Sequence, residues 1–123
     1  MWTEQQLIEI DRTDELQIAP RRKDGSLATP RIVWGVRVGD DVYIRSVRGE
    51  SGGWYRTTRS SHEGHVTAGD VDADVALADI GVSDKVGDRI DAAYRDKYSR
   101  YPGPVASITA DEARATTLKL SPR

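Results

Sequence analysis

Residues 31–46 have the sequence RIVWGVRVGDDVYIRS, which predicts a β-hairpin. Apolar side chains recur at every second position both before and after the turn, as they do in strands with one buried face. The segment Gly39-Asp40-Asp41 between the two runs has the composition of a tight turn. One face of the first strand is predicted to carry Ile32, Trp34, Val36 and Val38, and one face of the second to carry Val42, Ile44 and Ser46.

The returning strand continues into residues 43–56, YIRSVRGESGGWYR, which we interpret as a ligand-binding segment. A strand that ends in arginines is followed by a Gly/Ser loop and then by Trp54-Tyr55. Guanidinium groups and loop N–H groups bind phosphate, and aromatic rings contact flat ligands. The segment therefore predicts a site for a ligand with a phosphate at one end and a ring at the other.

The distribution of charge supports an anion site in the same region. Residues 21–59 contain nine Lys/Arg and four Asp/Glu, a balance of +5, and the remainder contains nine and sixteen, a balance of −7, which together give the net charge of −2. A basic segment in an acidic chain indicates local anion binding. The alternative from the same residues is a solvated basic face with a Gly-Gly turn and no ligand.

The rest of the chain predicts short strands and helices that complete a small barrel. Pro102 and Pro104 are expected to end any extension of the main helix. Six mainly antiparallel strands with two or three helices predict an α+β fold, a small β-barrel with helical decoration. The remaining elements are a helix over 3–12 with a Thr3/Gln6 capping box, a strand over 15–19, a helix over 54–61, a hairpin of 65–68 with 71–78, a helix over 84–99 capped by Ser83, a helical turn begun by a Thr109/Glu112 capping box and a strand over 116–120.

Length and composition exclude several classes of protein. At 123 residues the chain is expected to form one domain over residues 1–123, and the absence of cysteine excludes disulfides and Cys-based metal sites. No apolar run approaches the roughly 20 residues of a membrane span. With a pI near 5.7, the chain lacks the broad basic surface of a nucleic-acid-binding protein. We expect a cytoplasmic protein that binds neither nucleic acid nor membrane.

Other constellations favour structural roles over chemistry. His62 and His65 are the only histidines, too few for a zinc site, and no metal site is predicted. The sequence contains no Gly-x-Ser-x-Gly elbow. Asp70, Asp72 and Asp74 alternate with apolar residues, which indicates the solvent face of a strand rather than a calcium loop.

From about Leu16 to Pro122 the sequence resembles domain-of-unknown-function family 2255, within the split β-barrel superfamily of pyridoxamine-phosphate-oxidase-like flavoproteins and deazaflavin-dependent nitroreductases. The resemblance depends on Gly52-Gly53-Trp54-Tyr55, on the segment 91–98 and on Arg22-Lys23-Asp24-Gly25 with Thr29-Pro30. It implies a split β-barrel and a bound FMN or deazaflavin that transfers hydride to a small acceptor. The alternative is a module that binds a small ligand or cofactor without catalysis.

The resemblance and the loop together give a set of candidate cofactor-binding residues. Lys23, Arg45, Ser46, Arg48 and Arg56 are placed on the phosphate side, with the four cationic side chains converging near one loop. Trp34, Trp54 and Tyr55 are placed on the ring side. Asp24 adds a negative charge beside the expected phosphate, which Arg21, Arg22 or Lys23 would have to neutralise.

The superfamily resemblance also implies a homodimer with the cofactor between the subunits. The outer face of the 31–48 hairpin supplies more large side chains than so small a barrel is expected to bury. Trp34, Val36 or Tyr43 is therefore predicted in or beside the contact.

Overall fold

The computed structural model describes residues 1–81 and 84–123, and it confirms a mixed α+β fold. Within these described residues there are seven strands, where six were predicted, and five α-helices. In chain order the elements are α1 (Glu4–Arg12), β1 (Leu16–Pro20), β2 (Arg31–Val33), β3 (Gly35–Val38), β4 (Asp41–Ile44), a 3₁₀ turn (Gly49–Ser51), α2 (Gly53–Ser61), β5 (Glu63–Ala68), β6 (Val71–Asp79), α3 (Asp84–Lys97), α4 (Pro102–Ile108), α5 (Asp111–Arg114) and β7 (Leu118–Pro122).

The seven strands form one antiparallel sheet that curls into a nearly closed barrel. Their spatial order is β2-β1-β5-β6-β7-β4-β3. The two end strands, β2 and β3, are consecutive in the chain and are separated only by Trp34. The sheet must therefore bring its two ends together at Trp34, which is why it closes there without a hydrogen-bonded seam.

The prediction of one continuous strand over Ile32–Val38 is wrong, because this stretch divides at Trp34. β2 pairs with β1, whereas β3 pairs with β4. Val33 is buried and Ile32 is exposed, the reverse of the predicted alternation. A Cβ atom added to Gly35 would lie 2.6 Å from Leu16 Cδ2, so a side chain at this position would prevent the close approach to β1.

Two apolar clusters hold the fold together, one inside the barrel and one outside it. The barrel interior contains Trp2, Leu7, Ile10, Leu16, Ile18, Val33, Val42, Ile44, Tyr55, Val66, Ala68, Val71, Val75, Leu77, Leu118 and Leu120. The outer cluster lies between the β3–β4 hairpin and α3, α4 and α5, and contains Val36, Tyr43, Ile90, Tyr94, Tyr98, Val105, Ile108 and Ala113. Helix α3 therefore covers the hairpin face that was expected to remain free, and Val36 and Tyr43 are not available for a dimer contact.

The local signals of the sequence have mixed outcomes. The Thr3/Gln6 capping box of α1 is formed, and the β5–β6 hairpin turns at Gly69-Asp70 as expected. Helix α3 ends at Lys97, before Pro102, as expected. Pro102 begins a separate helix, α4, that was not predicted, because proline fits the first turn of a helix. Thr109 does not cap α5: its hydroxyl donates to the carbonyl of Val105. The predicted cap Ser83 lies outside the described residues.

The buried side chain of Arg45 connects the barrel to the helical layer. It follows β4 and has no exposed side-chain surface. Its Nη1 donates to Asp91 Oδ1 at 2.5 Å and to the carbonyl of Ile108 at 3.2 Å. Its Nε donates to Thr117 Oγ1 at 3.0 Å and its Nη2 to the carbonyl of Gly87 at 3.3 Å. One guanidinium thus holds α3, the end of α4 and the residue before β7.

Asp91 extends this network to α5. Its second oxygen accepts from Arg114 Nη1 at 2.8 Å, and Arg114 also contacts Asp88 at 3.1 Å. A Cβ atom on Gly87 would lie 2.3 Å from Arg114 Nη2, so glycine permits this approach. Asp91 is almost fully buried, whereas the side chain of Asp88 is 76% exposed.

We expect Asp91→Ala to destabilise the protein by about 3–5 kcal/mol, because it leaves the buried Arg45 cation without its partner. Asp88→Ala is the matched control and should cost less than about 1 kcal/mol, since its ion pair is exposed. Urea unfolding followed by circular dichroism gives both values. Equal costs for the two variants would show that the buried pair does not hold the helical layer.

Candidate functional site

The Gly/Ser loop packs its backbone against the end of β4 and then begins α2. Gly52 precedes the helix, and a Cβ atom there would lie 2.3 Å from Ser46 Oγ. Gly53 is exposed, with nothing near an added Cβ atom. Among the described residues no side chain caps the first turn of α2. The N–H groups of this turn, at the positive end of the helix dipole, are therefore open to a ligand.

A cleft of about 400 Å³ lies beside the first turns of α2. A second depression, of about 270 Å³, adjoins it, since both include Arg22, Gly53 and Thr57. We call the two together the basic cleft, because four cationic side chains line it. The complete lining is Pro20, Arg22, Lys23, Ala28, Thr29, Arg31, Gly53, Trp54, Arg56, Thr57 and Ser60.

The loop that carries Arg22 and Lys23 is fixed by its own hydrogen bonds. Arg22 Nη1 donates to the carbonyl of Leu27 at 3.0 Å. The carboxylate of Asp24 accepts from the backbone N–H of Ser26 at 2.9 Å and from its hydroxyl at 2.6 Å. These bonds from Ser26 lower the pKa of Asp24. The negative charge of Asp24 is thus engaged within the loop, and Asp24 does not line the basic cleft.

An apolar cleft of about 210 Å³ lies next to the basic cleft. Trp54 lines both, so the two clefts are adjacent at this residue. The apolar cleft is lined by Ile32, Val33, Trp34, Val47, Trp54, Pro104 and Ile108, with the buried Arg45 behind them. Ile32 and Val47 are 60% and 55% exposed, which leaves one side of the apolar cleft open.

Trp34 is held rigidly at the wall of the apolar cleft. Its ring stacks on Tyr98 with a centroid distance of 3.9 Å and an interplanar angle of 5°. The hydroxyl of Tyr94 donates to the carbonyl of Trp34 at 2.8 Å, and the hydroxyl of Tyr98 donates to the carbonyl of Asp14 at 2.6 Å. Burial raises the pKa of both tyrosines, so they act here as neutral donors.

The eight predicted site residues fall into three groups. Lys23 and Arg56 line the basic cleft, and Trp34 and Trp54 line the apolar cleft. Arg48 is exposed but borders neither. The third group is buried and comprises Arg45, Ser46 and Tyr55.

The prediction that Lys23, Arg45, Arg48 and Arg56 converge is therefore wrong for Arg45 and Arg48. Arg45 donates to Asp91 and to protein oxygens in the interior, because the chain covers the end of β4 with α3 and α4. Ser46 lies beneath Gly52.

Tyr55 packs its ring inside the barrel rather than against a ligand. Its hydroxyl donates to Asp79 Oδ2 at 3.2 Å and accepts from Arg59 Nη1 at 2.9 Å. Desolvation and the charge of Asp79 raise the pKa of Tyr55. The side chain of Trp54, not that of Tyr55, is the one that faces the clefts.

Sequence reasoning missed Arg31, Thr57 and Ser60 as lining residues. Gly53, Arg56, Thr57 and Ser60 follow the spacing i, i+3, i+4, i+7, which places them on one face of α2. Applied to the predicted helix, this spacing would have found two of the three. Arg31 gave no such signal, since its position depends on the pairing of β2 with β1.

The two histidines lie apart from both clefts. His62 follows α2 in the left-handed region, with φ 56°. The imidazole of His65 contacts Asp72 and, at 2.8 Å, Asp74 Oδ1, and these carboxylates raise its pKa. Within residues 1–81 and 84–123 no group of three or more acidic or histidine side chains could hold a metal ion.

Comparison with known proteins identifies the family. The chain belongs to the family of uncharacterized proteins conserved in bacteria designated DUF2255, whose sequence profile matches residues 6–120. No curated protein matches the sequence. The fold is similar to that of the conserved hypothetical protein Rv2991 from Mycobacterium tuberculosis, with a TM-score of 0.64 and 10% identity over 100% of this chain and 82% of the other. At that identity the likeness concerns the fold alone.

Among the described residues, no helix combines the length and the apolar character that crossing a bilayer requires.

We expect Gly52→Ala to destabilise the protein by about 1–2 kcal/mol, because the new methyl group overlaps the buried hydroxyl of Ser46. Gly53→Ala, with open space around it, should be neutral or slightly stabilising. Thermal unfolding of the two variants makes the comparison.

The combined variant Ser46→Ala/Gly52→Ala removes the overlapping oxygen and should recover part of the loss. If it is no more stable than Gly52→Ala, the contact between the loop and Ser46 is not the cause.

Proposed function

We propose that this DUF2255 protein binds a small planar ligand that carries a phosphate group, with the phosphate in the basic cleft and the ring in the apolar cleft. The observation that supports this most is that the two clefts are adjacent, with Trp54 in the lining of both. A flat ligand with an anionic tail matches this arrangement, because its ring suits the apolar cleft and its anionic group suits the basic cleft.

The phosphate end of the proposal depends on cationic side chains that form no ion pair with another described residue. Within the described part of the chain, Lys23, Arg31 and Arg56 form no ion pair with a carboxylate. Forked guanidinium groups bind phosphate oxygens in pairs, and the uncapped first turn of α2 adds N–H donors. Phosphate would thus satisfy groups that the protein itself leaves available.

The ring end of the proposal depends on Trp34 and Trp54. Trp34 is already positioned by its stack on Tyr98, so it contributes apolar surface without losing side-chain freedom. Trp54 makes an edge contact with Tyr55 at a centroid distance of 6.2 Å. Two oriented aromatic side chains beside apolar residues are typical of sites for planar ligands.

FMN and a deazaflavin are the candidate ligands, which would make the protein an oxidoreductase. A bound flavin or deazaflavin carries hydride between substrates, so the chain would supply binding, orientation and electrostatics. Lys23 and Arg56 would hold the phosphate and Trp34 and Trp54 the ring. The acceptor would be a small molecule that contacts the bound ring.

The second candidate is a non-catalytic binding module for the same class of ligand. The clefts are lined by Arg, Lys, Trp, Ser, Thr and aliphatic residues, and the lining includes neither a carboxylate nor an imidazole. The chain therefore offers no ready proton acceptor at the site. Turnover of a reduced flavin with an acceptor would favour the enzyme, and binding without turnover the module.

We propose further that the protein is a cytoplasmic homodimer, with its contact at the open side of the apolar cleft. Ile32 and Val47 are large, apolar and exposed there, and Trp34 lies beside them. Exposed apolar residues that cluster at one site often mark an interface. A cysteine-free chain fits the reducing cytoplasm.

Titration of the protein with FMN should quench tryptophan fluorescence in a saturable manner, since Trp34 and Trp54 would contact the ring. Lys23→Ala and Arg56→Ala should each weaken binding by about 1–3 kcal/mol, roughly fivefold to a hundredfold. Arg48→Ala is the matched control, an exposed arginine outside both clefts, and should leave the affinity unchanged. Riboflavin, which lacks the phosphate, should bind the wild type and the two cleft variants alike.

The absence of saturable quenching with both FMN and a deazaflavin would contradict the proposal. A loss of affinity in Arg48→Ala equal to that in Arg56→Ala would show that only the general positive charge matters.

Light scattering of the purified protein should give twice the chain mass of 13.6 kDa. Ile32→Asp should shift the protein towards the monomer, because it places a charge in the proposed apolar contact. Arg48→Asp, another exposed position, is the control. A wild-type mass of one chain at micromolar concentration would refute the dimer.

A further inference from the structure

The apolar cleft lies where the two strands of the β3–β4 hairpin diverge. We call this point of divergence, between β2 and residues 45–47, the fork. In that hairpin Gly35 lies opposite Ile44 and Val36 opposite Tyr43. If the same register continued beyond Gly35, Trp34 would lie opposite Arg45, and Ile32 opposite Val47. Instead, β2 leaves this partner and pairs with β1, while the chain after β4 bends towards α5. Ile32 and Val47 then form opposite walls of the cleft.

The separation of β2 from the residues that follow β4 leaves backbone groups without their usual partners. In a continuous hairpin these residues would exchange N–H and C=O hydrogen bonds across the gap. Within residues 1–81 and 84–123, the N–H and C=O of Val47 and the N–H of Trp34 have no hydrogen-bonding partner in the protein. The neighbouring groups are satisfied: Ser46 N–H donates to Thr116 Oγ1 at 2.8 Å, and the carbonyl of Trp34 accepts from Tyr94.

Val47 and Trp34, which carry these groups, both line the apolar cleft. A ligand that only stacks on Trp34 and Trp54 would cover these N–H and C=O groups and leave them unsatisfied, which costs free energy. A planar ring whose edge carries both donors and acceptors would replace the missing strand. Backbone groups recognise such an edge as they recognise another strand.

We infer that the fork between β2 and residues 45–47 binds the hydrogen-bonding edge of a planar heterocycle, an imide edge with the order C=O, N–H, C=O. The N–H of the ring donates to the carbonyl of Val47, and a ring carbonyl accepts from the N–H of Val47 or Trp34. The inference rests on the proposed function and specifies the ligand class: rings with a uracil-like edge bind, and aromatic rings without one do not.

The phosphate-binding groups take no part in this recognition, so ring analogues without a phosphate test it directly. Lumiflavin carries the imide edge, and N3-methyllumiflavin has a methyl group in place of the N–H. We expect the methylated ring to bind at least about tenfold more weakly, as measured by tryptophan fluorescence. FMN is titrated in parallel to report on the site as a whole.

Amide NMR reports whether the edge of the ring reaches the fork. Lumiflavin should slow hydrogen exchange at the amides of Val47 and Trp34, and N3-methyllumiflavin at saturating concentration should protect Val47 less. Val47→Pro removes one donor and should weaken lumiflavin binding, whereas Val47→Ala, the matched control, keeps the N–H and should lose only apolar contact. If Val47→Pro does not fold, the comparison of lumiflavin with N3-methyllumiflavin on the wild type tests recognition of the ring edge.

The outcomes distinguish this inference from the proposed function. Equal affinities for the two lumiflavins, or no amide protection, would overturn recognition of the edge and leave the phosphate-bearing planar ligand intact. Binding of FMN without binding of lumiflavin would also overturn it, because the phosphate alone would then carry the affinity. If neither FMN nor lumiflavin binds, both proposals fail.

Discussion

The arrangement of the helical layer depends on the burial of one positive charge. Arg45 lies in the interior, and the cost of removing its guanidinium from water is offset only if Asp91, Thr117 and the carbonyls of Gly87 and Ile108 are all in place. These partners come from α3, from α4 and from the segment before β7. Because a guanidinium has a fixed planar geometry, the three segments must meet it together. The ion pair thus specifies where the helices pack as well as contributing to their stability.

The same network forms the back of the candidate site. Ile108 accepts a hydrogen bond from Arg45 through its carbonyl and lines the apolar cleft with its side chain. Pro104, from the same helix, stands beside it. The far wall of the apolar cleft is therefore fixed by the barrel through Arg45, and the near wall by the stack of Trp34 on Tyr98. Both walls are therefore positioned by contacts within the protein, which would reduce the entropy lost by a ligand of the proposed kind.

The division of the first hairpin at Trp34 creates part of the candidate site. Closing the barrel requires β2 to leave β4 for β1, and this separation opens the space between Ile32 and Val47. Gly35 allows the sharp change of direction, because a side chain there would collide with Leu16. On the other side of Trp54, the first turn of α2 adjoins the basic cleft, and no side chain among residues 1–81 and 84–123 caps it. Within the same residues, Lys23, Arg31 and Arg56, which line this cleft, form no ion pair with a carboxylate. A single fold therefore presents an apolar and a cationic cleft side by side.

The sequence by itself determined most of the local structure. The α1 capping box, the span of α2, the β5–β6 hairpin, helix α3 and the α+β class all follow from periodicity and cap chemistry. It also located Lys23, Arg56, Trp34 and Trp54 at the clefts. Only the tertiary structure decided that Arg45 is interior, that Tyr55 belongs to the barrel core and that the 31–38 stretch divides in two. The physical reason is the distance along the sequence between the residues that interact. Caps and periodicity depend on neighbours within a few residues, whereas the burial of Arg45 depends on Asp91, 46 positions away, and the division at Trp34 depends on which strand is present to pair with β2.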